Sequence, residues 1–219
     1  MSRKSEPKIT ENKKKENYTQ ITFTPDLAKF GMSDFTQDLV SLFEKRAYDM
    51  AGCCTNVNVY LNDVKIKLKG FKSYVDLYIS SQKSSLTAEA PPATFLKVND
   101  RWEVAVAMSE GQFQQVSFVN SICTSKGGSH VTHVTDQVVS TLLEAIKKKD
   151  KKGVPLKPHQ AKSHLWVFVN CLIENPTFDS QSKENMTLKV SAFGSKCPLD
   201  DDFMKKGTFI LSSFKVWYS

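Results

Sequence analysis

The sequence predicts an α+β fold. Three observations lead there: short segments that alternate apolar and polar residues, longer segments with apolar residues at helical spacing, and an order in which strands come together before helix and strand alternate. A chain of 219 residues, 40% hydrophobic and 24% charged, can bury a sizeable core as one large or two small domains. Its 30 Lys and Arg against 23 Asp and Glu leave a formal charge of +7, which favours polyanionic partners, solubility being the plainer reading. The five cysteines form no CxxC pair, the pattern of reduced thiols in an intracellular protein. The basic N-terminus lacks the apolar segment of a secretory signal, and no run approaches the roughly 20 apolar residues of a membrane span, so a soluble chain is expected.

Residues 1–17 are polar and charged around Ile9, with too little apolar surface to offset ordering, and read as a loose basic tail. From Tyr18, Ile21 and Phe23 alternate with Gln20 and Thr22 until Pro25, which predicts a strand. Ser33 stands as an N-cap before Phe35, Leu39, Leu42, Phe43 and Met50 at helical spacing, and Gly52 stands where a C-cap belongs. VNVYL, Asn62-Asp63 and VKIKL read as a hairpin, with Val64, Ile66 and Leu68 on one face and Lys65, Lys67 and Lys69 on the solvent face. FKSYVDLYI predicts a helix, and residues 81–93 a polar linker ending in two prolines.

The second half opens on alternation: Trp102, Val104, Val106 and Met108 against Glu103, Ala105 and Ala107, then a turn at Gly111 and a second strand over residues 113–120. These two are expected to pair antiparallel. SICTSKGGSH is a loop, and Val131, Val134, Val138, Leu142 and Ile146 share one face of the helix after it. Residues 164–173 form the strongest buried-strand candidate, leading into NPTFDSQSKENMT, whose Asn, Pro, Asp and Ser predict turns.

Few constellations could carry chemistry. Lys147, Lys148, Lys149, Lys151 and Lys152 crowd the end of a predicted helix, where cations complement the helix dipole; the functional alternative is contact with nucleic-acid phosphates, independent of base sequence. Lys126-Gly127-Gly128 lies before a helix and could receive an anion, although a double glycine more often serves a tight connection, and GxxxxGK[ST] is absent. His130 and His133, and His159 and His164, lack zinc-ligand spacing, and no nucleophile with a base is evident, so neither a metal site nor a catalytic residue is assigned. In Gln181, Ser182 and Lys183 an ammonium and an amide could meet phosphate oxygens, while a solvated turn is the plainer reading.

The stretches FTPDLAKFGM, KGFKSYVDLYI, WEVAVAMSEGQFQQVSFVNSICTSKGGSHV and IENPTFDSQSKENMT closely resemble eukaryotic type IIA DNA topoisomerases over about residues 18–200. The resemblance implies that residues 18–80 are the end of a GHKL ATP-binding domain with a partial sheet. Residues 81–93 are then a linker, residues 94–197 a transducer domain with a ribosomal-protein-like fold and a left-handed βαβ unit, and residues 198–219 a divergent tail. It implies that Gln181, Ser182 and Lys183 match the family's Gln-Thr-Lys loop, serine replacing threonine, with the lysine touching the γ-phosphate of ATP and coupling it to gate closure in a homodimer. Lys147, Lys148 and Lys149 match a segment that contacts DNA. The implied partners are DNA and ATP, the implied cofactors ATP and Mg2+ with no magnesium site in this chain, and the implied compartment the nucleus. Lacking the earlier ATP-site motifs and the cleavage tyrosine domain, the chain is expected to be a fragment inactive alone. The alternatives are a transducer-like module of another GHKL ATPase and a non-catalytic nucleic-acid-binding protein.

Overall fold

The computed structural model describes residues 5–11, 13, 17–81, 93–109, 111–149 and 156–212, the side chains of Lys149 and of residues 208–212 excepted. Lys151, Lys152 and residues 213–219, together with most of the expected linker, lie outside the described residues. The chain divides into two compact units, Met1–Val40 and Ser41–Ser219.

In the first unit a 3-10 turn, Leu27–Phe30, ends at Gly31 in the left-handed region, whose N–H bonds the carbonyl of Ala28 at 3.1 Å. The strand expected from Tyr18 does not form, and Tyr18, Ile21 and Phe23 are exposed. Alternation defines two faces of a strand but supplies no neighbour for its backbone, and no described strand pairs with this segment.

Helix α1 spans Gln37–Cys53 and starts later than expected: the Leu39 N–H donates to Thr36 Oγ1 at 3.3 Å, so Thr36 and not Ser33 provides the cap. Gly52 is likewise not a C-cap. It lies inside the last turn, where an added Cβ would sit 2.6 Å from Cγ of Tyr74, so glycine is there to admit that ring. Beside it Asp49, 3% exposed, accepts the Tyr74 hydroxyl at 2.6 Å, Lys45 at 2.8 Å and Arg46 at 3.1 Å. Burial and the bond to Asp49 push the Tyr74 phenol well above its ordinary range. Leu42, Phe43 and Met50, expected to face a core, are exposed, because this helix is anchored through Asp49, Ala51 and Gly52 instead.

The hairpin turn forms where expected, but its strands are shorter than read, two residues each, and Val64, expected on the inward face, is exposed. β1 (Tyr60–Leu61) and β2 (Val64–Lys65) are joined by Asn62 and Asp63, both at positive φ (48° and 63°), the backbone of a type I′ turn. Helix α2 (Phe71–Ser81) follows. The main sheet contains β3 (Ala93–Asn99), β4 (Trp102–Met108), β5 (Gln114–Val119), β6 (Ile122–Cys123) and β8 (Leu165–Cys171), in the order β3-β4-β8-β5-β6. β4 and β5 are therefore not the antiparallel pair expected. β8, buried at every position except half-buried Asn170, takes the central place, antiparallel to β4 and parallel to β5. The parallel pairing needs a long crossover, which helices α3 (Ser129–Lys149) and α4 (Pro158–Ser163) provide.

Period-two alternation then divides the core between the sheet's faces. Trp102, Val104, Val106, Leu165, Val167 and Val169 join Val131, Val134, Val138 and Leu142 of α3 and Phe203 of α5 (Asp201–Ser212). On the other face Phe71, Tyr74, Val75 and Ile79 of α2 meet Ala105, Ala107, Phe118, Trp166 and Phe168. Size is complementary across the strands there: Ala105 lies opposite Phe168 and Ala107 opposite Trp166, so the small residues of β4 make room for the aromatics of β8. Segments on both sides of the expected linker thus share one core. The first turns of the expected tail form α5, with Asp201 and Asp202 suited to a helix start.

Candidate functional site

The loop after β8 is a narrow ribbon. Asn120 anchors its entrance, accepting the Ile173 N–H at 2.9 Å and donating to the Ile173 carbonyl at 3.0 Å. The two arms then zip together. Thr187 N–H meets the Thr177 carbonyl at 2.8 Å, the two threonine hydroxyls are 3.1 Å apart, Phe178 bridges Met186, and Asn185 Nδ2 donates to Asp179 at 2.9 Å. The tip is a turn in which Lys183 N–H reaches the Ser180 carbonyl at 3.1 Å, with Lys183 itself at positive φ (58°). Most of the polar residues that mark this stretch as a turn in the sequence have a bonding role or a place at the tip.

A second segment clamps the ribbon. β7 (Gly127–Gly128) runs parallel to β9 (Asn185–Met186), and a Cβ on Gly128 would lie 2.2 Å from the Met186 carbonyl oxygen, so only glycine permits this approach. Lys126 Nζ contacts Glu184 at 2.8 Å, Ser125 donates to the same carboxylate at 3.2 Å and Ser182 at 3.3 Å. The hydrogen bond and charge of Lys126 hold the Glu184 carboxyl below its ordinary range and raise the Lys126 ammonium in return. Lys126-Gly127-Gly128 is therefore occupied within the fold as a tight connection, and the anion-receiving alternative is not supported.

The three residues at the tip have different roles. Ser182 is bonded inward to Glu184 and lies 2.9 Å from the Ser180 hydroxyl. Gln181 is exposed, and Lys183 is half-buried, its amine 5.9 Å from the centre of the Phe178 ring. Among the described residues Lys183 makes no ion pair, so the tip presents an ammonium and an amide suited to an anion with several oxygens. A cleft of about 290 Å3 opens beside Ser182, lined by Arg46, Asp49 and Met50 of α1 and by Ser121, Ile122 and Cys123 of the β5–β6 turn. Arg46 and Glu184 were not signalled as site residues by the sequence, and Lys126 was signalled only as part of a possible anion-receiving loop, not as the partner of Glu184. Glu184 follows Lys183 directly, but its partner Lys126 is 58 positions away.

Lys147 and Lys148 are exposed at the end of α3, and Lys149 closes the helix. At 1.5 Å rise per residue the helix is about 30 Å long, so its two ends separate the clamp at Gly128 from the lysines. The histidines do not come together as a metal site: among the described residues no three His, Cys, Asp or Glu do so. His130 is fully buried beneath the clamp, 3.0 Å from Thr124 Oγ1, and burial lowers its pKa to about 3. Its unfolded value is 6.5, so below that pH the unfolded chain binds a proton that the folded chain refuses, and stability falls from pH 6.5 towards 3. Unfolding free energy should drop by roughly 2–3 kcal/mol more between pH 7 and 4.5 in the native chain than in His130→Gln. Denaturant titrations at the two pH values measure this, and equal drops would contradict it.

A family model described as DNA gyrase B matches residues 70–206, which covers β3 to β9, the ribbon, the clamp and the start of α5. The chain belongs to the DNA gyrase B family. DNA topoisomerase 2 of Arabidopsis thaliana is 55% identical over 207 residues, covering 94% of this chain, and DNA topoisomerase 2-beta of Gallus gallus is 55% identical over 219 residues, covering 99%. The chain spans 14% and 13% of the length of those two relatives. Among solved structures, the ATPase region of Saccharomyces cerevisiae topoisomerase II bound to ICRF-187 (dexrazoxane) is 41% identical, with a TM-score of 0.77, over 86% of this chain and 47% of that one. The ATPase and transducer domains of DNA topoisomerase II from Balamuthia mandrillaris are 38% identical, with a TM-score of 0.79, over 88% and 48%. The α+β fold of this gyrase B family member is thus that of the topoisomerase II ATPase and transducer region. No helix among the described residues is long and apolar enough to cross a membrane.

Proposed function

We propose that this chain is the nucleotide-sensing part of an ATP-dependent type II DNA topoisomerase, in which Lys183 engages the γ-phosphate of ATP bound by an adjoining ATP-binding lobe. The observation that carries this is Lys183 at the tip of a pinned ribbon, with no carboxylate partner among the described residues. In this reading residues 18–80 are the end of the GHKL ATP-binding domain, residues 81–93 a linker and residues 94–197 the transducer. Residues 198–219 are a divergent extension beginning with α5, the parent is a nuclear homodimer, and this chain alone turns over neither ATP nor DNA.

ATP, with Mg2+ held outside this chain, would supply when bound a γ-phosphate that leaves the site as inorganic phosphate after hydrolysis. Lys183 neutralises charge at the tip, Gln181 orients by its amide, and Ser182 holds the turn to Glu184. Because Glu184 is tied to Lys126 and Gly128 to Met186, displacement of the tip bears on the first turn of α3. The far end of that helix carries Lys147, Lys148 and Lys149, which we assign to DNA phosphates. A ligand shifts such an equilibrium only through contacts that differ between states, and a docked Lys183 is one.

The test is a chimera in which residues 18–206 replace the matching segment of Saccharomyces cerevisiae topoisomerase II. Lys183→Ala should reduce ATP-driven dimer closure and strand passage by about tenfold or more, as expected for loss of a charged hydrogen bond. Closure and strand passage at the unsubstituted chimera's rate would remove the role.

A further inference from the structure

We infer that the hairpin carries a second surface for the backbone of duplex DNA, formed by Lys65, Lys67 and Lys69 with Tyr60 beside them. The β1–β2 turn and the core determine which way these side chains point. Ile66, 9% exposed, and the partly buried Leu68 face inward, and the Ile66 N–H continues the pairing beyond β2 by donating to the Val59 carbonyl at 2.9 Å. Alternation then leaves Lys65, Lys67 and Lys69 exposed on the opposite side. Tyr60 lies directly across from Lys65, so the two share that side, and Tyr60 is 57% exposed.

No ion pair among the described residues involves any of the three lysines; the nearest basic residue in sequence, Lys72, is instead taken up by Asp76 at 3.1 Å. Three exposed ammonium groups with no carboxylate partner among the described residues, gathered just beyond the β1–β2 turn, can each meet one phosphate of a duplex backbone and release its counterions. A single narrow row of cations with an exposed phenol at one end suits a linear polyanion better than a flat anionic membrane, which a broad patch would serve. The inference shares with the proposed function the choice of DNA as partner but uses none of Lys147, Lys148 and Lys149.

Duplex binding of the full chain, followed by fluorescence anisotropy across a salt series, tests this. Changing Lys65, Lys67 and Lys69 together to Gln should lower the slope of log affinity against log salt by about 2.7, with similar loss from Lys147, Lys148 and Lys149 to Gln and the two losses adding. The triple Arg variant at the hairpin should retain the native slope, and native unfolding midpoints should accompany both hairpin variants. An unchanged slope in the hairpin Gln variant overturns the inference. If the α3 variant still loses slope, the DNA reading of Lys147–Lys149 survives that failure; if neither variant loses slope, both readings fall. A hairpin loss without an α3 loss supports the inference and removes the α3 assignment. Loss of binding to phosphatidylserine vesicles with unchanged DNA binding would overturn it in favour of a membrane surface.

Discussion

Gly128→Ala should destabilise the chain by at least about 3 kcal/mol and release the ribbon of residues 175–187 from its clamp. At φ +139° an L-residue is strained, and the new Cβ would lie 2.2 Å from the oxygen and 2.6 Å from the nitrogen of Met186. Both are backbone atoms of the residue that pairs with Gly128, so no side-chain rotation relieves the clash. The neighbouring glycine is the control. A Cβ on Gly127 meets nothing closer than 3.6 Å, so Gly127→Ala should cost only the strain of an L-residue at φ +77°, about 1–2 kcal/mol. Chemical denaturation measures the two costs, and limited proteolysis reports the ribbon, which should become susceptible in the Gly128 variant alone. Equal behaviour of the two variants would show that β7 does not hold the ribbon.

That contrast also marks what could be read before the structure was known. Gly127-Gly128 could be placed as a tight connection ahead of a helix, but nothing local tells which glycine faces another backbone, since Met186 is nearly sixty positions away. The same boundary runs through the fold. Asn62-Asp63, the helical spacing of Val131, Val134, Val138 and Leu142, and the apolar run of β8 are local signals, and each element formed where expected. The pairing of β4 with β8 in place of β5 depends on which strand is apolar enough for the centre, a comparison across the whole sheet. Gly52 was read as a helix terminator; its close approach to Tyr74, on the next helix, leaves no local signal. β3 went unread although Thr94, Phe95, Leu96 and Val98 are apolar or β-branched, as did α4, despite Pro158 at its first turn. At the site, the turn was legible because Asn, Pro, Asp and Ser act on their own backbone, whereas Lys183 was singled out only by the family resemblance. The Lys126–Glu184 clamp was not legible, because an ion pair between distant segments leaves no periodic trace.

Removing the Lys183 amine should have the other large effect, and its selectivity matters more than its size. A lysine that meets only the terminal phosphate contributes to the affinity of a triphosphate and nothing to that of a diphosphate. A lysine that merely supports the ribbon affects both alike or neither. The loss of one hydrogen bond to a charged group is about 1.5–3 kcal/mol, or roughly 10- to 150-fold in affinity. Lys183→Arg keeps the charge but changes its shape and reach, so partial recovery is expected there. The fold around the tip should be unaffected by either change, because the turn is closed by backbone and by Ser182 with Glu184 rather than by the lysine amine.

The most direct measurement is therefore the equilibrium affinity of the topoisomerase chimera for a non-hydrolysable ATP analogue and for ADP, each determined with Lys183 intact and again in the Lys183→Ala variant. Sensing of the γ-phosphate by this amine predicts at least about a tenfold loss for the triphosphate and an unchanged ADP affinity. Unchanged triphosphate affinity, or an equal loss for both nucleotides, would contradict it.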